Sequence, residues 1–190
     1  DGMWVSSPGT SYLPDAEAPG HYQIDWTNTG PSTLKNPVVY DILPYPSDKG
    51  VMPNAGDRGS TATAVLTEYP TVPSGWTVAY SKSTNPCRPE LGTVAGCVDD
   101  WDEAETPLSE IKALRFTGPD SVASGKSVSF DLKVALPGAD AGDVAWNTAA
   151  SAANLLDGSP LAVTESPKVG LKVPIEITPI APELKLAPKC

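Results

Sequence analysis

The sequence predicts an all-β domain, and three observations lead to this fold class. Short runs of alternating apolar and polar residues recur along the chain, as expected of strands with one buried face. Turn-forming residues separate these runs at the intervals typical of a β-sandwich. The 21 prolines and 16 glycines leave few windows in which a long helix could form. We therefore expect about eight short strands.

The first strands are predicted at the start of the chain. The segment up to Gly20 is expected to be irregular, apart from a short edge strand at Trp4 and Val5. Two central strands follow, at Tyr22–Thr27 and Pro37–Leu43, with a Gly- and Pro-containing turn between them. The first alternates strictly, whereas the second is richer in apolar residues. Both are predicted to lie at the heart of the sandwich.

The remaining strands are separated by two long loops, at Tyr45–Ser60 and Ser83–Pro107. Long loops without regular structure are often functional or mobile. Asp157 and Gly158 form a hairpin signal between the last two strands. The clearest alternation lies in the run that begins at Ser127. These strands are predicted at Thr61–Tyr69, Gly75–Ser81, Ile111–Thr117, Ser127–Leu136, Val144–Asn154 and Pro160–Glu165.

The C-terminal segment differs in character, because proline recurs at short intervals from Pro174 to Pro188. We predict one sandwich domain over residues 1–171 and a Pro-rich extended segment over residues 172–190. A stiff linker to a following domain is favoured, since prolines block continuous ladder pairing. The alternative is a strand that adds to the sheet of a neighbouring subunit.

The net charge restricts the classes of partner that the chain could bind. A net charge of −10 argues against binding nucleic acid or an anionic membrane surface, since both need basic patches. The sequence has no transmembrane run, and direct membrane insertion is not expected.

Because the chain starts at Asp1 rather than Met, we expect a mature or excised fragment whose signal and anchor lie outside it.

The cysteines predict one disulfide. Cys87 and Cys97 bracket a short loop that contains Pro and Gly, a spacing that a disulfide can close. Such a bond implies an oxidising compartment; the alternative is two free buried thiols. Cys190 has no obvious partner and is either a truncation feature or an intermolecular link.

Enzymatic activity is not expected. The sequence holds a single histidine, His21, which we expect to be exposed at the start of a strand. No G-x-S-x-G elbow, no Cys–His pairing pattern and no C-x-x-C zinc spacing is present. Phosphate loops and dinucleotide fingerprints are missing as well.

An acidic run is the one candidate metal site, and calcium is the one cofactor that it could hold. Calcium takes several carboxylate oxygens from a loop. The alternative is a solvated acidic loop. Trp101 within the run is expected to cover an edge of the sandwich rather than to stack on a sugar. The candidate ligands are Asp99, Asp100, Asp102 and Glu103.

Three motifs together resemble a known family. They are N-T-G at Asn28–Gly30, V-V-Y-D-I-L-P at Val38–Pro44 and W-N-T-A-A at Trp146–Ala150. Their order resembles the immunoglobulin-like repeat domains of Gram-positive, actinobacterial-type cell-surface and fimbrial proteins, which are related to isopeptide-forming pilin domains. The resemblance spans roughly Asp1 to Leu171 and implies an immunoglobulin-like Greek-key β-sandwich.

Some relatives in this family form an internal Lys–Asn isopeptide bond assisted by a buried carboxylic acid. By motif, Asp41 resembles that acid and Asn147 the reacting asparagine. The family's lysine lies on or just before the first core strand, but this chain has no lysine before Lys35. We therefore do not expect the bond.

The resemblance implies a structural role. We expect a stalk or shaft module of an exported bacterial surface protein, located at the cell surface or in the cell wall. Its partners would be neighbouring domains or subunits of the same protein. One alternative is a pilus-like filament subunit that assembles through its C-terminal segment. The other is an adhesin that binds a host or glycan ligand with its two long loops.

Overall fold

A computed structural model of the chain describes residues 9–15 and 17–175. Within these residues the fold is all-β, as predicted, and its helical content is one 3-10 turn at Leu108–Glu110. The strands are β1 (Gly9–Tyr12), β2 (Gly20–Thr27), β3 (Leu34–Ile42), β4 (Val65–Leu66), β5 (Thr77–Ser81), β6 (Ala113–Thr117), β7 (Ser127–Ala135), β8 (Val144–Asn147), β9 (Ala149–Leu155), β10 (Thr164–Glu165) and β11 (Val169–Lys172).

The strands form three sheets with the orders β1-β11-β8, β2-β7-β4 and β10-β9-β3-β6-β5. One main core contains apolar side chains from all three sheets. The arrangement is consistent with a β-sandwich. The predicted alternation of β7 is confirmed, because Phe130, Leu132 and Val134 are fully buried while the intervening side chains are exposed or half-buried. β2 alternates in the same way, with Tyr22 and Trp26 buried.

The central strand β3 is buried on both of its faces. Val39, and Leu43 directly after the strand, belong to the main core. The alternate side chains belong to a second cluster, here called the outer cluster, on the opposite face of the five-stranded sheet. Burial on both sides explains why this strand reads as a continuous apolar run. The outer cluster consists of Val38, Tyr40, Ile42, Val51, Leu91, Ala113 and Ala150.

The two long loops supply the cover of this second face. Val51 from the first loop and Leu91 from the second are buried in the outer cluster, and Met52 and Trp101 pack against it. Both segments are irregular, as predicted. Their apolar residues cover the outer face of the five-stranded sheet, which would otherwise expose apolar side chains to water.

Several predicted strand boundaries are wrong. The segment before Gly20 is not irregular, since β1 pairs in parallel with β11; Trp4 and Val5 lie outside the described residues. In the predicted strand Thr61–Tyr69 only Val65–Leu66 has strand structure. The predicted strand Val144–Asn154 is two strands in different sheets, because the chain crosses from one layer to the other between Asn147 and Ala149.

The end of the described chain is part of the fold. β11 ends at Lys172, next to the predicted boundary at residue 171, and Val173 is still buried. Backbone hydrogen bonds join Val173 to Asp143 and Gly142. Residues 176–190, including Cys190 and most of the Pro-rich segment, lie outside the described residues. Among the residues that are described, no helix has the length and apolar character needed to cross a membrane.

Candidate functional site

The structure brings Asp41 and Asn147 together, the two residues that by motif resemble the acid and the asparagine of isopeptide formation. Asp41 lies on β3 and is paired with Ala149 of β9 and Leu114 of β6, two residues of the main core. Asn147 is the last residue of β8. Nδ2 of Asn147 donates a hydrogen bond of 2.6 Å to Oδ2 of Asp41, and both side chains are buried. The sequence motifs therefore identified two residues in direct contact.

A buried arginine from the first long loop completes this site. Nη1 of Arg58 donates hydrogen bonds to the backbone oxygen of Ile42 (2.9 Å) and to Oδ1 of Asn147 (3.1 Å). Nη2 of Arg58 lies 2.6 Å from Oδ2 of Asp48, and both side chains are almost fully buried. Ser60 also donates to Oδ2 of Asp48, at 3.0 Å. We call Asp41, Asp48, Arg58, Ser60 and Asn147 the Arg58 cluster.

The burial of the Arg58 cluster shifts Asp41 towards its protonated form. Burial raises the pKa of Asp41 to about 6, although the hydrogen bond from Asn147 and the charge of Arg58 act in the opposite direction. Burial likewise raises the pKa of the nearby Tyr22, whose hydroxyl donates to the backbone oxygen of Ala145 at 2.7 Å. Below about pH 6, where Asp41 is mostly protonated, the charges of Arg58 and Asp48 balance, which reduces the cost of burying them.

Isopeptide formation needs a lysine amine beside the asparagine, but the group that contacts Asn147 here is the guanidinium of Arg58. A guanidinium stays protonated in proteins and is not a nucleophile. No lysine of the described residues is buried, and Lys35 is half-buried near the start of β3. Lys168 reaches the cluster only at its backbone, where Nζ donates to the oxygen of Arg58 at 2.6 Å. The prediction that no isopeptide bond forms remains a prediction.

Sequence reasoning missed Arg58 and Asp48. Both lie in the predicted loop Tyr45–Ser60, and an ion pair between loop residues has no periodicity by which the sequence could predict it. Arginine is rare in this sequence, but its rarity does not distinguish Arg58 from Arg88 and Arg115. The cluster joins β3, β8 and the first long loop through the buried side chain of Arg58.

The predicted disulfide between Cys87 and Cys97 is present in the structure. It closes the second long loop next to Trp101, whose indole Nε1 donates to the backbone oxygen of Cys87 at 2.8 Å. The Trp101 ring lies 5.7 Å from that of Tyr40, and the guanidinium of Arg115 lies over it at 5.2 Å. Trp101 therefore covers the outer cluster, in line with the expectation of a covering role.

The acidic run does not gather into a cation site. Asp100 accepts hydrogen bonds from the Ser81 hydroxyl (2.5 Å) and the Lys82 backbone N–H (3.0 Å). Asp102 accepts from the backbone of Ala104, while Asp99 and Glu103 are exposed. Within residues 9–15 and 17–175, no three acidic, histidine or cysteine side chains converge in a way that could hold a metal ion. These residues therefore fit calcium poorly, and the calcium interpretation is untested.

A shallow groove lies between the two long loops. It has a volume of about 350 Å³ and is lined by Met52, Pro53 and Ala55 from one loop and Leu91 and Thr93 from the other. Its walls are the same loops that the adhesin interpretation requires. His21, at the start of β2, is exposed as expected and lies far along the chain from these loops.

Comparisons with known proteins give little further information. No protein-family model matches the chain. No curated protein matches it either. Among solved structures it is similar to one described as AvmM, which catalyzes macrocyclization in alchivemycin A biosynthesis, with a TM-score of 0.35 and 10% identity over 95% of this chain and 90% of that chain. A similarity of this size carries no argument about the fold or the activity of this chain.

Proposed function

We propose that this chain is a structural stalk module of an exported surface protein, which holds neighbouring domains apart. The observation that carries the proposal is the pairing of β1 with β11. These two strands run in parallel, with Gly9 opposite Val169 and Tyr12 opposite Lys172. The chain therefore enters the pair at one end and leaves it at the opposite end, as a unit in a tandem array would.

This geometry determines how the domain would resist a pulling force. Force applied at the two ends of a parallel pair acts along the strands, so that all their hydrogen bonds are loaded together. An antiparallel hairpin pulled at its open end loses its bonds one after another. The backbone bond from Leu13 to Lys172, 2.9 Å long, extends the parallel pair by one further link.

The interior of the domain supports the same role. β11 pairs on its other side with β8, which ends at Asn147 in the Arg58 cluster. Force on β11 would thus reach the buried hydrogen bonds that join Asn147 of β8 to Asp41 of β3 and to Arg58. The disulfide at Cys87 suits an exported protein, since such bonds persist in oxidising compartments. The partners in this proposal are neighbouring domains or subunits of the same surface protein.

Single-molecule force spectroscopy on a tandem array of the domain tests the proposal. Pulling through the chain ends should require a several-fold higher unfolding force than pulling between Ala150 and Glu165. Those two residues face each other in the β9–β10 hairpin, so that pull unzips the same domain. Equal forces for the two directions would remove the mechanical basis of the proposal.

The groove between the loops favours an adhesin as the second candidate function. A glycan or peptide that binds there should lose affinity in a Met52→Glu variant, which places a charge on the groove wall. Trp101→Ala serves as the comparison, because Trp101 covers the outer cluster without lining the groove. Binding that survives both substitutions would place the ligand elsewhere.

The filament interpretation remains the third candidate. It uses the segment from residue 172 to the C-terminus, most of which lies outside the described residues. Concentration-dependent assembly that disappears when the chain is shortened after Ile175 would support it. Assembly that persists after this truncation would contradict it.

A further inference from the structure

Two arginines next to the outer cluster have no acidic partner in the described part of the chain. Arg88, from the second long loop, is 4% exposed, and its Nη1 donates to the backbone oxygen of Pro86 at 2.8 Å. The Nε atoms of Arg88 and Arg115 are both buried, and within residues 9–15 and 17–175 neither has a hydrogen-bond acceptor. The ion pairs that those residues form involve other side chains. Burying a guanidinium in this way is costly unless a further group pairs with it.

The two arginines converge on the side chain of Tyr40. Arg115 lies directly opposite Tyr40 in the pairing of β6 with β3. Burial raises the pKa of Tyr40, the hydrogen bond to Glu90 and its charge raise it further, and the charge of Arg115 acts in the opposite direction. Burial lowers the pKa of Arg88, and the interaction with Tyr40 is the largest influence that opposes this shift. Both guanidinium groups therefore act on the same buried hydroxyl.

The carboxylate of Glu90 reaches this hydroxyl from the surface of the second long loop. The Tyr40 hydroxyl donates a hydrogen bond to Oε2 of Glu90, although Tyr40 is fully buried and Glu90 is exposed. Glu90 does not form an ion pair with either arginine among the described residues. The position beside Tyr40 therefore admits a carboxylate that comes from the solvent side, while the donors of the two arginines are left over.

Glu165, another acid whose charge acts on Arg88, is engaged elsewhere. Its Oε1 accepts hydrogen bonds from the Val51 N–H at 2.6 Å and the Thr148 hydroxyl at 2.8 Å. Its Oε2 accepts from the Met52 N–H at 3.1 Å. Glu165 thus holds the backbone of the first long loop in place, and its carboxylate is not the partner that Arg88 lacks.

We propose that Arg88, Arg115 and the Tyr40 hydroxyl form a binding site for the carboxylate of an acidic ligand. Glu90 closes this site when no ligand is bound. A guanidinium suits a carboxylate because its planar fork can donate two parallel hydrogen bonds. An incoming carboxylate would take the Tyr40 hydrogen bond from Glu90 and pair with the two arginines as well. Leu91, the residue after Glu90, lines the groove between the long loops, which would hold the remainder of the ligand.

This inference does not rest on the stalk proposal, which concerns β1 and β11. For the adhesin candidate it names a chemical class of ligand. The carboxylate site can be tested separately from the groove, because acetate is large enough to occupy the first and too small to need the second.

Titration with sodium acetate at constant ionic strength, followed by NMR, tests the proposal. The indole N–H of Trp101 is the reporter, because the guanidinium of Arg115 lies over this ring at 5.2 Å and the N–H donates to the backbone oxygen of Cys87. We expect a saturable shift with acetate and none with acetamide, its neutral counterpart.

Three variants assign the effect to the site. Glu90→Gln should lower the dissociation constant for acetate about tenfold, because it removes the competing charge. Glu103→Gln makes the same change at an exposed acid of the same loop and should leave the constant unchanged. Arg115→Gln should raise the constant about tenfold, because one of the two guanidinium groups is lost.

Two larger probes distinguish the source of the carboxylate. Glucuronate represents a sugar acid, and the amide of N-acetylglutamate represents the side chain of an acidic peptide. Saturable binding of either probe supports the site, and the probe with the lower dissociation constant identifies the class of ligand. The proposal is overturned if Glu90→Gln shows no saturable shift with acetate, if acetamide shifts the Trp101 signal as acetate does, or if Glu90→Gln and Glu103→Gln change the constant equally.

Discussion

The carboxamide of Asn147 donates a hydrogen bond of 2.6 Å to the carboxyl group of Asp41, at a position where Asp41 is 0% and Asn147 3% exposed. Arg58 donates to the other end of the same carboxamide, at 3.1 Å. One side chain of β8 thus bridges an acid on β3 and a cation from the first long loop. Stability, pH dependence and covalent chemistry at this site all depend on that bridge.

Folding stability should decrease as the pH rises through the titration range of Asp41. Its pKa is about 6 in the folded protein and 3.8 in its ordinary environment, so between these values the folded state holds a proton that the unfolded chain has released. The contribution is present in full below the lower value and lost above the higher one, and it amounts to about 3 kcal/mol.

Denaturant unfolding of the wild type and Asp41→Asn between about pH 4 and pH 7 measures this contribution. The difference in unfolding free energy between the two proteins should change with pH, because only the wild type has the titrating group. Asp131→Asn is the control, since Asp131 is exposed. A difference that stays constant over the whole range would show that the pKa of Asp41 is the same in the folded and the unfolded state.

Replacing Arg58 by alanine should destabilise the protein by about 3–5 kcal/mol, because it leaves Asp48 as a buried unpaired charge. Asp48→Ala should cost a similar amount. The double variant should cost less than the sum of the two, since neither charge is then left alone. Lys82→Ala, which removes an exposed ion pair with Glu110, should have no measurable effect. Additive costs would mean that Arg58 and Asp48 act independently.

The parts of this fold that sequence could predict are those governed by local periodicity. The apolar stripe of β7 is an example, since the alternation that places Phe130 and Leu132 in the core is written in consecutive residues. The pairing of Asp41 with Asn147 was accessible only through the order of motifs. In the first case the signal lies within one strand, and in the second it lies in the order of two motifs.

The remaining features depend on contacts that no local pattern records. β3 needs cover on both faces, but the residues that cover its outer side, such as Val51 and Leu91, come from loops. The crossing between β8 and β9 at Thr148 follows from pairing with two different sheets. Arg58 is 89 residues away in sequence from the Asn147 that it contacts. All three features depend on contacts between residues that are far apart in sequence.

Removal of the disulfide should loosen the second long loop more than the rest of the domain. Closing a loop with a sequence separation of 10 residues stabilises the folded state by about 3 kcal/mol, which Cys87→Ala with Cys97→Ala should forfeit. Hydrogen exchange should increase around Trp101, whose indole bonds to the Cys87 backbone. Peptide mapping without reduction should recover the two cysteines linked. Finding both alkylated without reductant would contradict the bond and weaken the case for export.

Calcium should not raise the melting temperature. A ligand that binds only the folded state stabilises it by mass action. The carboxylate of Asp100 is already bonded to Ser81 and Lys82, and Asp99 and Glu103 point to solvent from an exposed loop. Thermal unfolding with and without millimolar calcium measures the effect, with magnesium as the control. A rise specific to calcium, abolished by Asp100→Asn, would restore the acidic run as a binding site.

The mature protein should contain no Lys–Asn isopeptide bond. Bond formation would require an unprotonated amine at Asn147, but that carboxamide meets the guanidinium of Arg58, and the described lysines are at most half-buried. A solvated lysine stays charged and is a poor nucleophile. Intact mass spectrometry decides the question, because the bond expels one ammonia. We expect a mass that is lower than the sequence mass only by the two hydrogens of the disulfide. Asn147→Ala should then destabilise the fold while leaving that mass correction unchanged, whereas a missing ammonia in the wild type that returns in Asn147→Ala would prove the bond.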